Sequence, residues 1–229
     1  MVVVCFDPEF VYIKTQKTAG TSTEMVLEKF CGPPGRKITE RSRGYVSKYG
    51  IIGRRLNVAA AGPADQKPSW RPHISASEVR RLVMPDFWER AEIIANIRNP
   101  FARNFSWFNW TRKMNKRPDF ATFEEHRDAF RAWLPTAKDV GERKRLFVDG
   151  APSPTKIIRF EHLEEDLAEV CNELGLSDPP SLPETKMSSR PDDAPTLKDY
   201  YDQRGIEIIQ RNCEWLFEAG NYPETPPDR

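Results

Sequence analysis

Residues 11–30 of the chain read VYIKTQKTAGTSTEMVLEKF and predict a strand, a tight loop and a helix. Val11, Tyr12 and Ile13 are β-branched or aromatic, as is typical of a short buried strand. The polar loop 15–20 that follows contains one lysine and one glycine. The stretch 21–30 then places residues at the spacing of one helix face, namely Thr23, Val26, Leu27 and Phe30.

A strand, a tight polar loop and a helix N-terminus together predict an anion site. The free N–H groups of the first helical turn point at a ligand, and the helix dipole favours negative charge. Lys17 adds a positive charge, and Thr18, Thr21 and Ser22 add hydroxyl donors. Phosphate is the natural ligand. The alternative is an ordinary strand–loop–helix turn with solvated lysines.

The loop does not match the nucleotide-hydrolysing form of a phosphate loop. A Walker A motif reads G-x-x-x-x-G-K-[ST], with its lysine late in the loop. Here Lys17 comes early, and Gly20 is the single glycine. The sequence therefore disfavours ATP or GTP hydrolysis.

Composition predicts one soluble α/β domain over residues 1–229. Apolar residues make up 38% of the chain and charged residues 30%, and the net charge is +1. The low net charge argues against a nucleic-acid partner, and no apolar run approaches the ~18 residues of a transmembrane segment. The four cysteines have no C-x-x-C spacing and the three histidines form no metal motif. These features predict a reduced, cytoplasmic protein, and none indicates an oligomeric state.

A second strand–helix junction follows at residues 91–106. AEIIANIR reads as a buried strand that ends in Arg98, after which Asn99 caps a helix with Pro100 at its first position. Ser106 lies on the second turn of that helix. The junction predicts a second phosphate site. The alternative is that Arg98 forms a structural ion pair.

Residues 31–72 form a basic, irregular insertion with nine lysines and arginines against two acids. A long loop of this kind is usually functional, so we expect an acceptor-side flap that attracts an anionic substrate. The alternative is a solvated insertion. His73 follows directly, and the capping-box spacing of Ser75 and Glu78 predicts a helix just after it.

Strands alternate with helices along the rest of the chain. TKIIRF at 155–160 predicts a third strand, and the last helix is expected at about 196–219, ended by Gly220. This order predicts an α/β fold with a central, mostly parallel sheet and helices on both faces.

Taken together, these stretches resemble the PAPS-dependent sulfotransferases, in particular the carbohydrate branch that includes heparan sulfate 2-O-sulfotransferase. PAPS is 3′-phosphoadenosine 5′-phosphosulfate. YIKTQKTAGTS resembles the 5′-phosphosulfate loop, and IIANIRNPFARNFSWF resembles the 3′-phosphate motif, close to V-R-N-P-x-x-R-x-x-S-x-[YF]. IIRFEHLEEDL and DYYDQRGIEIIQRNCEWLFEAGNYP resemble the later core segments. The resemblance implies a P-loop-like, three-layer fold.

The resemblance also implies roles for named residues. Lys17 would act on the bridging oxygen and the 5′-phosphate. A histidine at the place of His73 would be the catalytic base, with Glu24 as its rival. The remaining cofactor contacts implied by the resemblance are Thr18, Ala19, Gly20, Thr21 and Ser22 at the 5′-phosphate, Arg98 and Ser106 at the 3′-phosphate, and Lys186, Ser189 and Arg190 from a late loop.

The implied reaction transfers a sulfuryl group from PAPS to a hydroxyl of a carbohydrate by in-line displacement, with no metal required. The basic insertion favours an anionic acceptor such as a uronic-acid glycan, and a lipid-linked sugar or a small glycoside stays open. Two other functions are alternatives: a P-loop nucleotide kinase or NTPase, and a non-catalytic protein that binds anions or glycans on the same fold. The opening of the first motif departs from the family pattern, with Thr15 and Gln16 where Val or Pro is common.

Overall fold

The computed structural model of the chain describes residues 2–53, 70–71, 73–176 and 195–228. These residues fall into two compact units that interleave along the chain. The first unit comprises the described parts of 1–15, 19–97 and 144–185, and the second those of 16–18, 98–143 and 186–229. The chain passes from the first unit to the second and back within the loop 14–20.

A six-stranded sheet forms the centre of the first unit. Its strands are β1 (Val2–Phe6), β2 (Glu9–Ile13), β3 (Tyr45–Val46), β4 (Gly50–Ile52), β5 (Glu92–Ile97) and β8 (Lys156–Arg159). Across the sheet they follow the order β3-β4-β1-β2-β5-β8. A separate two-stranded ribbon pairs β6 (Phe147–Val148) with β7 (Ala151–Pro152). The strands predicted at 11–13, 91–98 and 155–160 are thus confirmed, with small shifts at their ends.

The sheet is mixed, so the expectation of a mostly parallel sheet needs correction. β2 pairs parallel with β5, and β5 with β8. The pairs β1–β2, β1–β4 and β3–β4 are antiparallel. The physical reason is the two-residue connection at Asp7-Pro8, which can join only antiparallel neighbours, because a parallel crossover needs a dozen or more residues. The fold is therefore α/β with a mixed sheet, and its P-loop-like, three-layer description stays a prediction.

The first unit also contains five helices in its described part. They are α1 (Gly20–Cys31), α2 (Ala76–Arg80), α3 (Pro85–Arg90), α6 (Arg143–Leu146, of which Arg143 is assigned to the second unit) and α7 (Leu163–Glu173). α1 and α7 pack on one face of the sheet. Their apolar side chains form one core cluster with alternate residues of the strands, including Val26, Leu27, Leu167 and Val170 from the helices and Val3, Phe10, Tyr12, Ile94 and Ile158 from the sheet.

The parallel half of the sheet positions the candidate site. Ile13 of β2 lies in register with Ala95 of β5, so both strands end at the same edge of the sheet. α1 follows β2 from this edge. Gly53, which follows β4, donates its N–H to the carbonyl of Val2 at 2.9 Å. Because Val2 pairs with Ile13, Gly53 also lies at this edge of the sheet.

The second unit is helical in its described part. Its helices are α4 (Pro100–Met114), α5 (Phe123–Trp133), α8 (Leu197–Tyr200) and α9 (Gln203–Gly220). An aromatic cluster joins them, as in the edge-to-face contacts of Phe101 with Tyr201 at 5.1 Å and of Phe105 with Phe130 at 5.4 Å between ring centroids. No helix within the described ranges is long and apolar enough to cross a membrane.

The end of the last helix differs slightly from the expectation. Gly220 is the final helical residue, and Asn221 forms the left-handed cap with φ of 51°. Asparagine tolerates this conformation better than other side-chain-bearing residues. Gly220 is required for packing instead, since a Cβ there would lie 2.2 Å from the Tyr222 ring. Gly175, two residues after the end of α7, has φ of 69°.

Candidate functional site

The loop between β2 and α1 holds two residues other than glycine in the left-handed backbone region. Lys17 has φ of 64° and Ala19 has φ of 57°. Side chains other than glycine rarely adopt this region, and where they do the strain is concentrated at functional sites. Left-handed residues within a short turn also direct neighbouring N–H groups to one side, as in anion-binding nests. The backbone is therefore compatible with the predicted anion loop.

The N-terminus of α1 has no side-chain cap among the described residues. Ala19 occupies the N-cap position, and its carbonyl accepts from the N–H of Ser22 at 2.9 Å. A helix end without a capping side chain leaves its first N–H groups for water or a ligand. The 12-residue helix adds its dipole at the same point. This end of α1 is therefore suited to an anion.

The three hydroxyl residues of the loop differ in exposure. Thr18 and Ser22 are 2% and 1% exposed, whereas Thr21 is half-buried. A hydroxyl must be reachable to donate directly to a ligand. Of the three, Thr21 is therefore the best placed to use its side chain, and Thr18 and Ser22 are better suited to contribute their backbone.

A buried polar network fixes the base of the loop in the first unit. Asn96 on β5 is completely buried. Its Oδ1 accepts from the Tyr12 hydroxyl at 2.7 Å, and its Nδ2 donates to Thr23 Oγ1 of α1 at 3.0 Å. The Thr15 hydroxyl donates to the Asn96 carbonyl at 2.6 Å. Burial and the nearby Glu24 charge raise the pKa of Tyr12 well above its usual value, so Tyr12 stays a donor.

Lys14, the first residue after β2, forms a second polar anchor. Its Nζ lies 2.7 Å from Thr21 Oγ1 and 2.9 Å from Glu24 Oε2. Lys14 is 9% exposed and Glu24 is completely buried. Gly20 leaves room for this side chain, because a Cβ there would lie 2.9 Å from Lys14 Cγ. The ion pair therefore links the end of β2 to the first turn of α1.

In the second unit, the structure brings Lys17 and Arg98 together. Arg98 Nη1 donates to the Lys17 carbonyl at 3.2 Å. Arg98 is half-buried and directly precedes Asn99, whose side chain accepts from the N–H groups of Phe101 and Ala102, as the capping prediction requires. A hydrogen bond from the Arg98 side chain to the Lys17 backbone therefore joins the two sequence motifs.

The surroundings of Lys17 are electropositive. Burial lowers the pKa of Lys17 most, and the nearby positive charges of Arg98 and Lys113 lower it further. Nearby positive charges disfavour the charged form of a lysine, and an anion bound beside them offsets this repulsion. The arrangement therefore has the electrostatics of an anion site.

In the second unit, a buried ion pair contacts the backbone of the loop. Arg103 on α4 is 1% exposed and Glu142 is 2% exposed. Arg103 Nη2 lies 2.5 Å from Glu142 Oε1, and the same oxygen accepts from the N–H of Gln16 at 3.0 Å. Arg103 Nη1 donates to the carbonyl of Val140 at 2.8 Å. The pair thus fixes the backbone directly before Lys17.

His73 lies in the first unit directly before α2. The capping box of Ser75 and Glu78 is present, so the predicted helix start is confirmed. His73 itself has φ of 56°, and its carbonyl accepts from Arg145 Nη1 at 3.0 Å. The structure therefore places His73 at a loop–helix junction in a strained backbone conformation.

The remaining candidate residues are placed as follows. Glu24 is paired with Lys14, and Ser106 is half-buried on α4, seven residues after the Asn99 cap. Lys186, Ser189 and Arg190 lie outside the described residues, as does most of the second half of the basic insertion. Within the described ranges, no group of three or more His, Cys, Asp or Glu side chains could hold a metal ion.

Sequence reasoning missed three residues of this site. Lys14 and Asn96 each carry a visible signal, because a lysine that follows an apolar strand and an asparagine inside one both need buried partners. Glu142 gave no such signal, since its loop shows no periodicity. Its role emerges only from the contacts with Arg103 and Gln16.

Comparison with known proteins gives no match. No family model matches the chain, and neither a curated protein nor a solved structure does so.

Proposed function

We propose that this chain is a sulfotransferase that transfers the sulfuryl group of PAPS to a hydroxyl of a carbohydrate. The observation that carries the proposal is the contact of Arg98 with the Lys17 carbonyl. It links two strand–helix junctions whose strands, β2 and β5, end at the same edge of the sheet. PAPS carries anionic groups at two separated positions, and a protein that binds it needs two such junctions.

The proposed cofactor contacts follow from the chemistry of each residue. Lys17 binds the bridging oxygen and the 5′-phosphate, together with the backbone of Thr18, Ala19, Gly20 and Ser22 and the hydroxyl of Thr21. Arg98 and Ser106 bind the 3′-phosphate. A guanidinium matches phosphate bidentately. The late-loop residues Lys186, Ser189 and Arg190 remain proposed contacts.

The proposed reaction is an in-line displacement at sulfur. The acceptor oxygen forms a bond to sulfur while the bond from sulfur to the bridging oxygen breaks. The hydroxyl proton passes to a base, and 3′-phosphoadenosine 5′-phosphate (PAP) leaves. Lys17 stabilises the charge that develops on the bridging oxygen. Burial and the nearby charges of Arg98 and Lys113 lower the pKa of Lys17 in the free protein, and a bound anion would offset these like charges.

We assign the base to His73 rather than to Glu24. An ordinary histidine pKa near 6.5 suits proton abstraction at neutral pH. Glu24 is completely buried and held by Lys14 at 2.9 Å. A carboxylate in that state must first lose its ion pair and then reach an acceptor. Its surroundings therefore favour a structural role.

The activity can be tested with PAPS labelled in its sulfuryl group and a panel of acceptors that includes uronic-acid glycans, neutral glycosides and lipid-linked sugars. We expect label to move to one acceptor class. Lys17→Ala should lower the rate by about 1000-fold, and His73→Ala by about 100-fold or more with little change in PAP affinity. A wild-type rate in Lys17→Ala would remove Lys17 from the chemistry.

Two results would favour the alternatives. Hydrolysis of ATP, or transfer of its phosphoryl group, without sulfuryl transfer would indicate the kinase or NTPase function. Glycan binding without any transfer would indicate a non-catalytic binding protein.

A further inference from the structure

We propose that Lys14 is a positioning residue that orients the Thr21 hydroxyl as a donor to the cofactor phosphate, with Glu24 as the counter-ion that holds Lys14 in place. This inference rests on the proposed function and assigns to Lys14 and Thr21 a shared role within it.

The direction of the hydrogen bond between Lys14 and Thr21 is fixed by chemistry. An ammonium group has donors and no acceptor, so Thr21 Oγ1 must accept at the 2.7 Å contact. A hydroxyl has a single proton. The proton of Thr21 must therefore point away from Lys14, towards whatever acceptor lies on its other side.

The exposure of the loop hydroxyls supports an external acceptor. Thr21 is half-buried, whereas Thr18 and Ser22 are almost completely buried. A hydroxyl that accepts from a cation is also polarised into a stronger donor. Phosphate oxygens only accept at neutral pH, so they match a hydroxyl whose proton is directed outwards.

Glu24 supplies the counter-charge for Lys14 at this place. Its Oε2 lies 2.9 Å from Lys14 Nζ in completely buried surroundings. A buried ammonium without a carboxylate is strongly unfavourable. The same pairing restricts the rotamers of the long lysine side chain, and Gly20 leaves the space that its stem occupies.

A double-mutant cycle tests the inference by calorimetric titration of PAP. The two changes are replacement of the ion pair, Lys14→Met together with Glu24→Gln, and the substitution Thr21→Val. They are made separately and together, so that neither an ammonium nor a carboxylate is buried without its partner in any variant. Each single change should weaken PAP binding by about tenfold, which is the scale of one hydrogen bond to a charged group. The combination should be no more than about twofold weaker than the poorer single variant, because both changes remove the same bond.

Conservative variants separate positioning from a merely structural role. Thr21→Ser keeps the hydroxyl and loses the methyl group, whereas Thr21→Val keeps the shape and loses the hydroxyl; Thr21→Ser should therefore bind PAP within about threefold of the parent. Lys14→Arg should restore part of the affinity lost in Lys14→Met. Lys29→Met removes an exposed lysine from the last turn of α1 and should leave the affinity unchanged.

Two results would overturn the inference. Multiplicative losses, with the combined variant about 100-fold weaker, would mean that Lys14 and Thr21 act independently, and the sulfotransferase proposal would still stand. A wild-type protein that does not bind PAP at all would remove the proposed function and this inference together. Folding of each variant is checked by its urea unfolding transition.

Discussion

Each unit has a buried ion pair that contains or contacts a residue of the loop 14–20, and the two pairs differ in the partners of their remaining hydrogen bonds. Arg103 and Glu142 in the second unit form hydrogen bonds with backbone groups, namely the Val140 carbonyl and the Gln16 N–H, and Arg103 also donates to the side chain of Asn104. Lys14 and Glu24 in the first unit leave one ammonium donor for a side-chain hydroxyl, that of Thr21. The Arg103–Glu142 pair holds the backbone of the loop, and the Lys14–Glu24 pair orients the hydroxyl proton of Thr21. A buried charge pair can thus serve the fold or the chemistry, according to the partners of its remaining hydrogen bonds.

The largest expected effect tests the backbone-fixing pair. Arg103→Met leaves the Glu142 carboxylate buried without its guanidinium, which should cost about 3–5 kcal/mol of unfolding free energy. Urea unfolding of the wild type and the variant measures this loss. Arg127→Met is a matched control, because Arg127 pairs with the exposed Asp128 and should lower stability far less than Arg103→Met does. Equal losses in the two variants would contradict the assignment of a buried structural pair.

A smaller effect is expected at Gly20, because the Lys14–Glu24 pair needs the space that a side chain at this position would occupy. Gly20→Ala would bring a Cβ to 2.9 Å from Lys14 Cγ and 3.0 Å from the Tyr12 hydroxyl. Overpacking of this kind typically costs about 1–3 kcal/mol, and the displaced lysine should also weaken PAP binding. Urea unfolding and PAP titration on the same variant measure both effects. Gly35→Ala cannot serve as the control, because Gly35 has φ of 75° and an alanine there would be strained for a different reason. The control is Ala102→Gly in α4, which should lower stability by about 1 kcal/mol from helix propensity alone. An unchanged stability and affinity in Gly20→Ala would show that the lysine has room to spare.

The smallest expected effect is a gain in stability rather than a loss. The pKa of Lys17 is lowered by burial, then by Arg98 and Lys113, so the folded chain binds this proton less tightly than the unfolded chain does. Such a lysine reduces stability at pH values below its lowered pKa, and this cost disappears as the pH rises above the unfolded value of about 10.4. Lys17→Met should therefore raise the melting temperature at pH 7 by up to about 2 °C.

Melting curves of Lys17→Met and wild type from pH 7 to pH 10.5 test this sign. We expect the two proteins to converge at the alkaline end. Lys29→Met, at an exposed position, should show no gain at any pH. A variant that is less stable than the wild type at pH 7 would mean that Lys17 has a stabilising partner in the free protein.

Local periodic patterns were sufficient to predict much of the fold. The strand–loop–helix unit at 11–30, the Asn99 cap and the Ser75–Glu78 capping box are confirmed because each depends on residues close in sequence. The antiparallel half of the sheet was missed, although the two-residue turn at Asp7-Pro8 already carried that information. Strand pairing is decided between segments distant in sequence, and a pattern of alternating strands and helices does not report it.

The contacts around the candidate site were predicted less completely, for the same physical reason. Lys17, Thr21 and Arg98 lie in recognisable motifs, so the sequence alone could single them out. Lys14 and Glu142 acquire their roles from buried partners that only the folded chain brings near. A charged residue is expected to be exposed to solvent unless its burial is known, and for this reason both Lys14 and Glu142 were overlooked.

The central claim is that the loop 15–22 and Arg98 bind 3′-phosphoadenosine nucleotides. Its most direct test is the thermal shift of the wild-type protein with PAP, compared with AMP and with ATP plus Mg²⁺. At about 100 times its Kd, PAP should stabilise the folded state by about 2.7 kcal/mol, whereas AMP, which lacks the 3′-phosphate, should give a much smaller shift. A shift with ATP and Mg²⁺ but none with PAP would contradict the account and leave the loop as a kinase-type phosphate site.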